Sequence, residues 1–238
     1  MPESCLDKLI FPELDFARPA ADQIFDAVKV AILRMDLEPG CLISEAELGA
    51  RCGASRTPVR EAFTRLREEG LVVTRPSRGN FVSKLSPDRM KAAQFIREAL
   101  ELANVRWLCT VGLSDEIRMQ LRQNLSAQAR VVQVREEIGG RRAFQALDDR
   151  FHVLLAQGTG FERAETLLVR EKAALDRLRV LALNEEMHMT HLFSAHQAIF
   201  DAISARDSAA AEELMAAHLR EVLTMLSNLV TAHRDYFE

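Results

Sequence analysis

The sequence predicts a mainly α-helical chain in two parts, an N-terminal module of three helices with a small β-hairpin and a C-terminal antiparallel helical bundle. Apolar residues recur at helical spacing through most of the first part. The segment LVVTRPSRGNFV then changes to two β-prone runs separated by the turn PSRG. Beyond KLSPD the helical periodicity is almost continuous, with few aromatic residues and many leucines, alanines and valines, as in helical bundles.

Composition excludes several classes of protein. The chain has 238 residues, of which 48% are apolar and 28% charged, as is typical of soluble globular proteins. Its apolar runs are shorter than the roughly 18 residues of a membrane span, and the N-terminus carries acids where a secretory signal carries bases. We therefore expect a cytoplasmic protein without a membrane partner. The four cysteines form no C-x-x-C pair, and we expect them to be free thiols.

Capping and turn residues define the helices of the N-terminal module. The first predicted helix ends before the turn at Pro39-Gly40. Ser44 followed by Glu47 forms a capping box for a short second helix, and Gly53 ends that helix. Ser55 is placed to cap the third helix. Two helices joined by a tight turn and followed by a hairpin constitute a winged helix-turn-helix.

Basic residues concentrate in this module. Residues 51–84 contain eight basic and three acidic residues, a local net charge of +5 in a chain whose net charge is −4. Such a patch is the electrostatic signature of a nucleic-acid-binding surface. In a helix-turn-helix the second helix lies in the major groove of DNA, with its N-terminal residues nearest the bases. The candidate DNA-binding residues lie at the start of this helix and at the hairpin tip: Ser55, Arg56, Thr57, Arg60, Arg78 and Gly79.

Arginines at the start of the recognition helix carry most of this prediction. Arg56 and Arg60 are four residues apart and share one helix face. Arginine is suited to guanine edges and to phosphate, and a cation near a helix N-terminus opposes the helix dipole, which indicates an external anion. For Arg65 and Arg67 the alternative is pairing with nearby acids on a solvated helix face.

The run PGCLISEAELGARCGASRTPVREAFTRLREEGLV, followed by RGNFV, resembles the N-terminal domain of GntR-type bacterial transcription regulators. The resemblance implies that the protein binds double-stranded operator DNA as a homodimer. It also implies DNA contacts from Arg56, Thr57, Arg60 and Gly79. Some members of the family carry an arginine where Ala46 stands in this sequence, so a contact from the helix before the turn is not implied.

Six helices are predicted for the C-terminal part, with breaks at glycines and at a polar turn over residues 206–208. They cover residues 88–111, 114–137, 141–157, 162–182, 188–205 and 208–235. The resulting domain organisation is a flexible arm over residues 1–17, a winged helix-turn-helix over 18–84 and an all-helical domain over 85–238.

Polar residues on the apolar stripes of these helices indicate a second site. Asp148 and His152 are four residues apart on one helix face, while His196 and His218 lie on apolar stripes of two later helices. If they converge in the bundle, they suit a borderline divalent metal such as zinc, nickel or iron(II). The alternative is that each histidine is a hydrogen-bonded core residue. Arg97 is placed to bind an effector carboxylate or, alternatively, to pair with the acid four residues later.

The C-terminal part resembles the FCD ligand-sensing domain of the FadR-type branch of GntR regulators. The matching motifs are IREALE from Ile96, D-x-x-FH at Asp148, H-x-x-I at His196 and HL at His218. The resemblance implies a metal held by Asp148, His152, His196 and His218, with a small organic acid bound beside it. Members that sense acyl-CoA lack this histidine set, so an acyl-CoA sensor is not expected.

Three functions are compatible with these features. The first is a metabolite-responsive transcription regulator, expected to be a repressor, whose metal is zinc or, as alternatives, nickel, iron or manganese. The second is a metalloenzyme that uses the same Asp/His set to activate water. The third is a helical interaction protein with a vestigial pocket. The DNA-binding module favours the first, in which no residue is catalytic.

Overall fold

The computed structural model describes residues 5–8, 11, 13–134, 139–182 and 188–238. Within them the chain forms two compact units, one from the N-terminal residues up to Pro87 together with Val230–Glu238, the other from Asp88–Leu229. The first unit contains three helices and a small sheet, and the second is helical. The predicted fold class, a winged helix-turn-helix followed by a helical bundle, is confirmed.

The first unit follows the predicted order, with one additional strand. Its elements are a 3-10 helix (Cys5–Lys8), α1 (Ala20–Leu33), β1 (Leu42–Ile43), α2 (Glu45–Cys52), α3 (Arg56–Glu68), β2 (Val72–Arg75) and β3 (Gly79–Val82). The three strands form an antiparallel sheet in the order β1-β3-β2. Strand β1 was not predicted because two residues are too short to show a period of two. It extends the hairpin to a three-stranded sheet by pairing Ile43 with Asn80.

The predicted caps place the helix-turn-helix. Ser44 Oγ accepts a hydrogen bond from the backbone N–H of Glu47 at 3.3 Å, as the capping box requires. Gly53 ends α2 in the left-handed region, with φ 63°. Ser55 occupies the N-cap position of α3, but among the described residues its side chain makes no capping hydrogen bond, contrary to the prediction. The Ser55 backbone is extended there (φ −69°, ψ 170°), and the residue is exposed.

One face of α3 anchors it in the core of this unit. Val59, Ala62, Phe63 and Leu66 have no exposed surface, and they pack among side chains of the other elements. These positions recur every three or four residues, so they form one apolar stripe and leave the opposite face to solvent.

Part of the predicted N-terminal arm is folded in the structure. Leu6 is fully buried in the core of the first unit. Cys5 forms a disulfide with Cys41, so the expectation of four free thiols is wrong for this pair. Sequence spacing could not reveal the bond because 36 residues separate the two cysteines.

The second unit is a helical bundle. Its helices are α4 (Pro87–Val111), α5 (Asp115–Val134), α6 (Gly139–Gly158), α7 (Glu162–Ala182), α8 (His188–Ser204), α9 (Ser208–Thr224) and α10 (Leu226–Ala232). The predicted extension of α5 to residue 137 lies outside the described residues. Gly139 begins α6 rather than separating two helices, contrary to the prediction. Among the described residues, no helix combines the length and apolarity needed to cross a membrane.

The last predicted helix, over residues 208–235, is divided. It ends as α9 at Thr224, resumes as α10 and finishes in a 3-10 helix, Arg234–Tyr236. The C-terminal residues belong to the first unit, within which the backbone N–H of Leu85 donates to the carbonyl of Tyr236 at 2.8 Å and that of Glu238 to the carbonyl of Leu85 at 3.0 Å. The predicted bundle, residues 85–238, therefore differs from the observed second unit at both ends.

Candidate nucleic-acid interface and metal centre

The start of α3 presents the predicted DNA-binding residues to solvent. Ser55, Arg56, Thr57 and Arg60 are all exposed, whereas Val59 among them is buried. The turn at Gly53 holds this end of α3 against α2, which is the arrangement of a recognition helix. Ala46 on α2 is exposed and carries only a methyl group.

The hairpin tip is shaped by Gly79. Its φ is +104°, which side chains rarely adopt, and a Cβ there would lie 2.9 Å from Leu42 Cδ1. The neighbouring Ser77 also has a positive φ, 59°. Arg78 is exposed on the turn, and its backbone N–H donates to the carbonyl of Arg75 at 3.0 Å. The wing is therefore a tight turn that carries an arginine at its tip.

Glu45, which the sequence analysis did not single out, connects the recognition helix with the wing. Its Oε2 lies 3.6 Å from Arg60 Nε. Its Oε1 accepts a hydrogen bond from Asn80 Nδ2 at 3.0 Å, and Thr74 Oγ1 donates to Asn80 Oδ1 at 2.6 Å. An acid in the first turn of α2 thus positions both a candidate DNA-binding side chain and the strand beside it.

The two later arginines of α3 have partners within the unit. Arg65 Nη1 donates to Asp22 Oδ1 at 2.5 Å, and its guanidinium lies 4.0 Å from the centre of the Phe25 ring. Arg67 Nη2 donates to Thr64 Oγ1 at 2.9 Å. The alternative weighed for these residues was pairing with an acid. Within the described part of the chain it holds for Arg65 but not for Arg67, whose observed partner is a hydroxyl.

The second unit brings the four predicted metal ligands together. Asp148 and His152 come from α6, His196 from α8 and His218 from α9, and one ligand atom of each lies within 4.8 Å of those of the others. Asp148, His152 and His196 are buried, and the Nδ1 atom of the half-buried His218 is also inside the protein. The convergence that sequence spacing left open is therefore present.

Hydrogen bonds fix the tautomers of two of these histidines. His152 Nδ1 contacts the Glu101 carboxylate, and His196 Nδ1 lies 2.8 Å from Gln128 Oε1. Gln128 Nε2 donates to Asn124 Oδ1 at 2.7 Å, which orients the amide with its oxygen toward His196. Because both partners of the histidines are acceptors, each Nδ1 carries the proton and each Nε2 presents a lone pair.

These lone pairs point at one another. His218 Nε2 lies 3.1 Å from His152 Nε2 and 3.2 Å from His196 Nε2. A proton on His218 Nε2 could satisfy only one of these contacts. The nitrogens, with the Asp148 carboxylate beside them, therefore form a donor set that a cation would complete, and the outer partners Glu101 and Gln128 orient the ligands as in known metal sites.

The electrostatic surroundings favour the neutral form of the histidine ligands. Burial lowers the pKa of His196 and of His218, and the neighbouring positive charges lower both further. Metal ligation needs neutral imidazole, so this direction favours binding. Burial raises the pKa of Glu101, but the charges and hydrogen bonds of His152 and Arg97 outweigh it and lower the pKa to about 2. Glu101 is therefore a carboxylate at neutral pH.

A cavity beside this centre is lined by two arginines, Arg97 and Arg179. Arg97, 3% exposed, donates from Nε to Glu101 Oε1 at 2.7 Å, so the pairing weighed as an alternative is present while the residue also lines the cavity. Arg179 contacts the Asp148 carboxylate and lines the same cavity. The other lining residues are Phe144, Gln145, Asp148, Ala182, Leu192, His218, Leu219, Glu221 and Val222.

Three residues of this site were missed by sequence reasoning as functional residues: Glu101, Gln128 and Arg179. Gln128 had a usable signal, since it continues the buried stripe of Leu121, Asn124 and Leu125 on α5. A polar residue on such a stripe needs a buried partner.

Comparison with protein families identifies both parts of the chain. Residues 20–82 match the bacterial regulatory proteins of the gntR family, and residues 94–221 match the FCD domain. The chain belongs to the GntR family. It is therefore a GntR transcription regulator with a DNA-binding winged helix-turn-helix and an FCD domain, as the sequence resemblance predicted.

Individual relatives agree with this. The HTH-type transcriptional repressor RspR of Escherichia coli K12 is 33% identical over 225 residues, covering 94% of this chain and 96% of that protein. The Nta operon transcriptional regulator of Aminobacter aminovorans is 31% identical over 168 residues, covering 66% and 75%. The solved structure of Escherichia coli McbR/YncC has the same fold, with a TM-score of 0.73 at 16% identity, covering 88% and 97% of the two chains.

Proposed function

We propose that this GntR regulator is a metabolite-responsive repressor that binds a palindromic operator as a homodimer. Its effector is a small organic acid bound beside a divalent metal in the FCD domain. The observation that carries the proposal is the set of three histidines and one aspartate, whose lone pairs converge beside an arginine-lined cavity. The name of the relative RspR supports repression as the direction of control.

In this proposal the start of α3 reads the operator. Arg56 and Arg60 reach guanine edges or phosphates in the major groove. Ser55 and Thr57 contact phosphate oxygens, which fits a Ser55 side chain that is exposed at the N-cap. The wing places Arg78 against the DNA backbone or the minor groove, and Gly79 permits the close approach of the chain.

The metal is held by Asp148, His152, His196 and His218. This mixture of nitrogen and oxygen ligands suits zinc, with nickel, iron and manganese as alternatives. These four residues would hold the ion and leave room on it for an effector oxygen. A bound ion would supply a Lewis-acidic anchor for a carboxylate, and Arg97 would hold the same carboxylate by charge-assisted hydrogen bonds.

Regulation requires that the effector bind one arrangement of the dimer better than the other. The carboxylate, metal and Arg97 contact α4, α6, α8 and α9 together, so an effector that fits between these helices favours one packing of the bundle. The altered packing changes how the two winged helix-turn-helix modules of the homodimer engage the operator.

Metal analysis combined with a thermal-shift screen of small carboxylates tests the sensing half of the proposal. We expect near one metal ion per chain after reconstitution with zinc. We also expect a rise in melting temperature with a carboxylate only when the metal is present. A protein that takes up no metal and responds to no carboxylate would refute the sensing mechanism and leave the DNA-binding assignment intact.

The Arg60→Ala variant tests the DNA-binding half. Loss of a bidentate base contact costs about 1–3 kcal/mol and relaxes specificity, so we expect binding of the operator to fall toward the non-specific level. The control is Arg34→Ala, which removes an exposed arginine at the C-cap of α1, outside the recognition helix and the wing. Unchanged operator affinity in the Arg60 variant would rule out its proposed role.

A further inference from the structure

Arg179 lines the cavity beside the metal centre, and the proposed function assigns it no role. Its side chain is only 11% exposed, and it is held by carboxylates of Asp148, Asp149 and Asp176. Nη1 lies 2.7 Å from Asp149 Oδ1 and 3.5 Å from Asp176 Oδ1. One of its partners is a metal ligand, so this arginine is shared between the metal centre and the cavity.

Two guanidinium groups line this one cavity. Their side chains are largely buried, 3% exposed for Arg97 and 11% for Arg179. Two buried cations facing the same space repel each other, and an anion placed between them removes the repulsion. The cavity is therefore built to receive negative charge from its arginine side as well as from the metal side.

The number of charges limits what the cavity accepts. Among the described residues, the ion pairs around the centre together with the cavity-lining Glu221 comprise three cations and five acids, a net charge of −2: Arg97, Lys172, Arg179, Glu101, Asp148, Asp149, Asp176 and Glu221. A divalent ion with neutral histidines changes this to 0. Each effector carboxylate then adds a negative charge to a largely buried site, so a second carboxylate is costlier than the first.

The remaining lining residues of the cavity support the same limit. They include apolar side chains, among them Phe144, Leu192 and Val222. A second lining acid besides Asp148, Glu221, is 24% exposed and lies 3.2 Å from His191 Nε2. A second carboxylate of the effector would meet an apolar wall or a like charge, while an alkyl group or a hydroxyl that donates to Glu221 would be accommodated.

We infer that the effector is a monocarboxylate and that Arg179, together with Arg97 and the metal, is a specificity-determining anchor for its carboxylate. This inference rests on the proposed function, because it presumes a metal-dependent effector site. It goes further in excluding dicarboxylates and in assigning a role to a residue of α7.

Matched pairs of acids test the selectivity. The zinc-loaded full-length protein is titrated calorimetrically with butyrate and succinate, lactate and malate, and gluconate and glucarate. The members of each pair share one carboxylate end, and the second member adds a carboxylate at the other. In at least one pair we expect the monocarboxylate to bind at least about tenfold more tightly than the dicarboxylate. The reason is that the second carboxylate would interact unfavourably with the cavity lining.

Outcomes of this titration separate the inference from the proposed function. If no pair favours its monocarboxylate about tenfold, or if the tightest-binding acid of all is a dicarboxylate, the inference is overturned and a metal-dependent acid sensor is left in place. Failure of every acid to bind the zinc-loaded protein overturns both the inference and the effector part of the proposed function.

Variants then test the residues. Arg179→Gln should weaken the best monocarboxylate about tenfold or more, as for loss of a buried charge partner, while zinc content stays near that of the wild type. Arg170→Gln, at an exposed position of the same helix, is the control. Glu221→Gln should reduce the discrimination within a pair by improving the dicarboxylate. Unchanged affinity in the Arg179 variant, or unchanged discrimination in the Glu221 variant, contradicts the inference.

A conservative variant covers the case in which Arg179→Gln does not fold. Arg179→Lys keeps the positive charge that Asp148, Asp149 and Asp176 require but loses the bidentate geometry. We expect it to fold, to retain zinc and to bind the monocarboxylate more weakly than the wild type. Wild-type affinity in this variant would show that the guanidinium is not an anchor.

Discussion

Replacing Gln128 by leucine tests whether the outer partners of the histidines determine metal affinity. Gln128 is fully buried, and its Oε1 lies 2.8 Å from His196 Nδ1. Leucine has a similar volume but no acceptor, so the variant leaves a buried N–H without a partner and removes the bond that fixes the tautomer of His196. His196 is itself fully buried, so water cannot easily replace the missing oxygen.

The size of the effect follows from these contacts. Loss of an outer partner of a metal-bound histidine lowers metal affinity about 10–100-fold. This corresponds to about 1.4–2.8 kcal/mol, within the range of about 1–3 kcal/mol for an unsatisfied buried donor. We therefore expect the zinc dissociation constant of Gln128→Leu to rise by one to two orders of magnitude.

Competition with a chromophoric zinc chelator measures this constant directly. Gln123→Leu is the control, because Gln123 is exposed on the same helix. Gln128→Glu separates the metal effect from folding, since a carboxylate still accepts from His196 Nδ1 but cannot donate to Asn124. That variant should lose stability and keep zinc. Wild-type zinc affinity in a folded Gln128→Leu protein would refute the reasoning.

Three further predictions concern the fold. Phe63→Ala, at a site with no exposed surface, should lower the free energy of unfolding by about 3–5 kcal/mol in urea titrations, and a loss below about 1 kcal/mol would contradict the core assignment. Gly79→Ala places a side chain at φ +104° and 2.9 Å from Leu42 Cδ1, so it should destabilise the wing by about 1–3 kcal/mol, and an unchanged melting temperature would argue against this turn. Asp207→Ala removes the cap that accepts from the backbone N–H of Ala210 at 3.0 Å, and thermal unfolding should show a loss of about 0.5–2 kcal/mol that Asp207→Ser largely restores.

Local patterns predicted the features that local chemistry determines. The apolar stripe of α3 is buried because a period of 3.6 residues places its members on one face. Asp148 and His152 meet because a spacing of four places them on one face of α6. The proximity of His196 and His218 could not be predicted in this way. It depends on how α8 and α9 pack, which the spacing of residues along the sequence does not determine. The resemblance to the FCD domain supplied that prediction.

Features that depend on tertiary contacts were not predictable in the same way. Strand β1 exists because Ile43 can pair with Asn80 of a distant strand, and two residues carry no period of their own. The division of the last helix at Met225 coincides with no glycine or proline, so no local signal marked it. Arg179 resembles any other helical arginine in the sequence, and only the structure shows that three carboxylates surround it.

The outer partners explain why metal and effector should depend on each other in the proposed mechanism. Glu101 accepts from Arg97 through Oε1 and contacts His152 through Oε2, so one carboxylate serves both the effector cavity and the metal centre. An effector carboxylate bound to Arg97 competes with Glu101 for the positive charge of Arg97. Because Glu101 then interacts less with Arg97, it interacts more strongly with the proton on His152 Nδ1. A more basic His152 binds the metal more tightly. Because coupling between two sites is reciprocal, the bound metal must raise the affinity for the effector by the same factor.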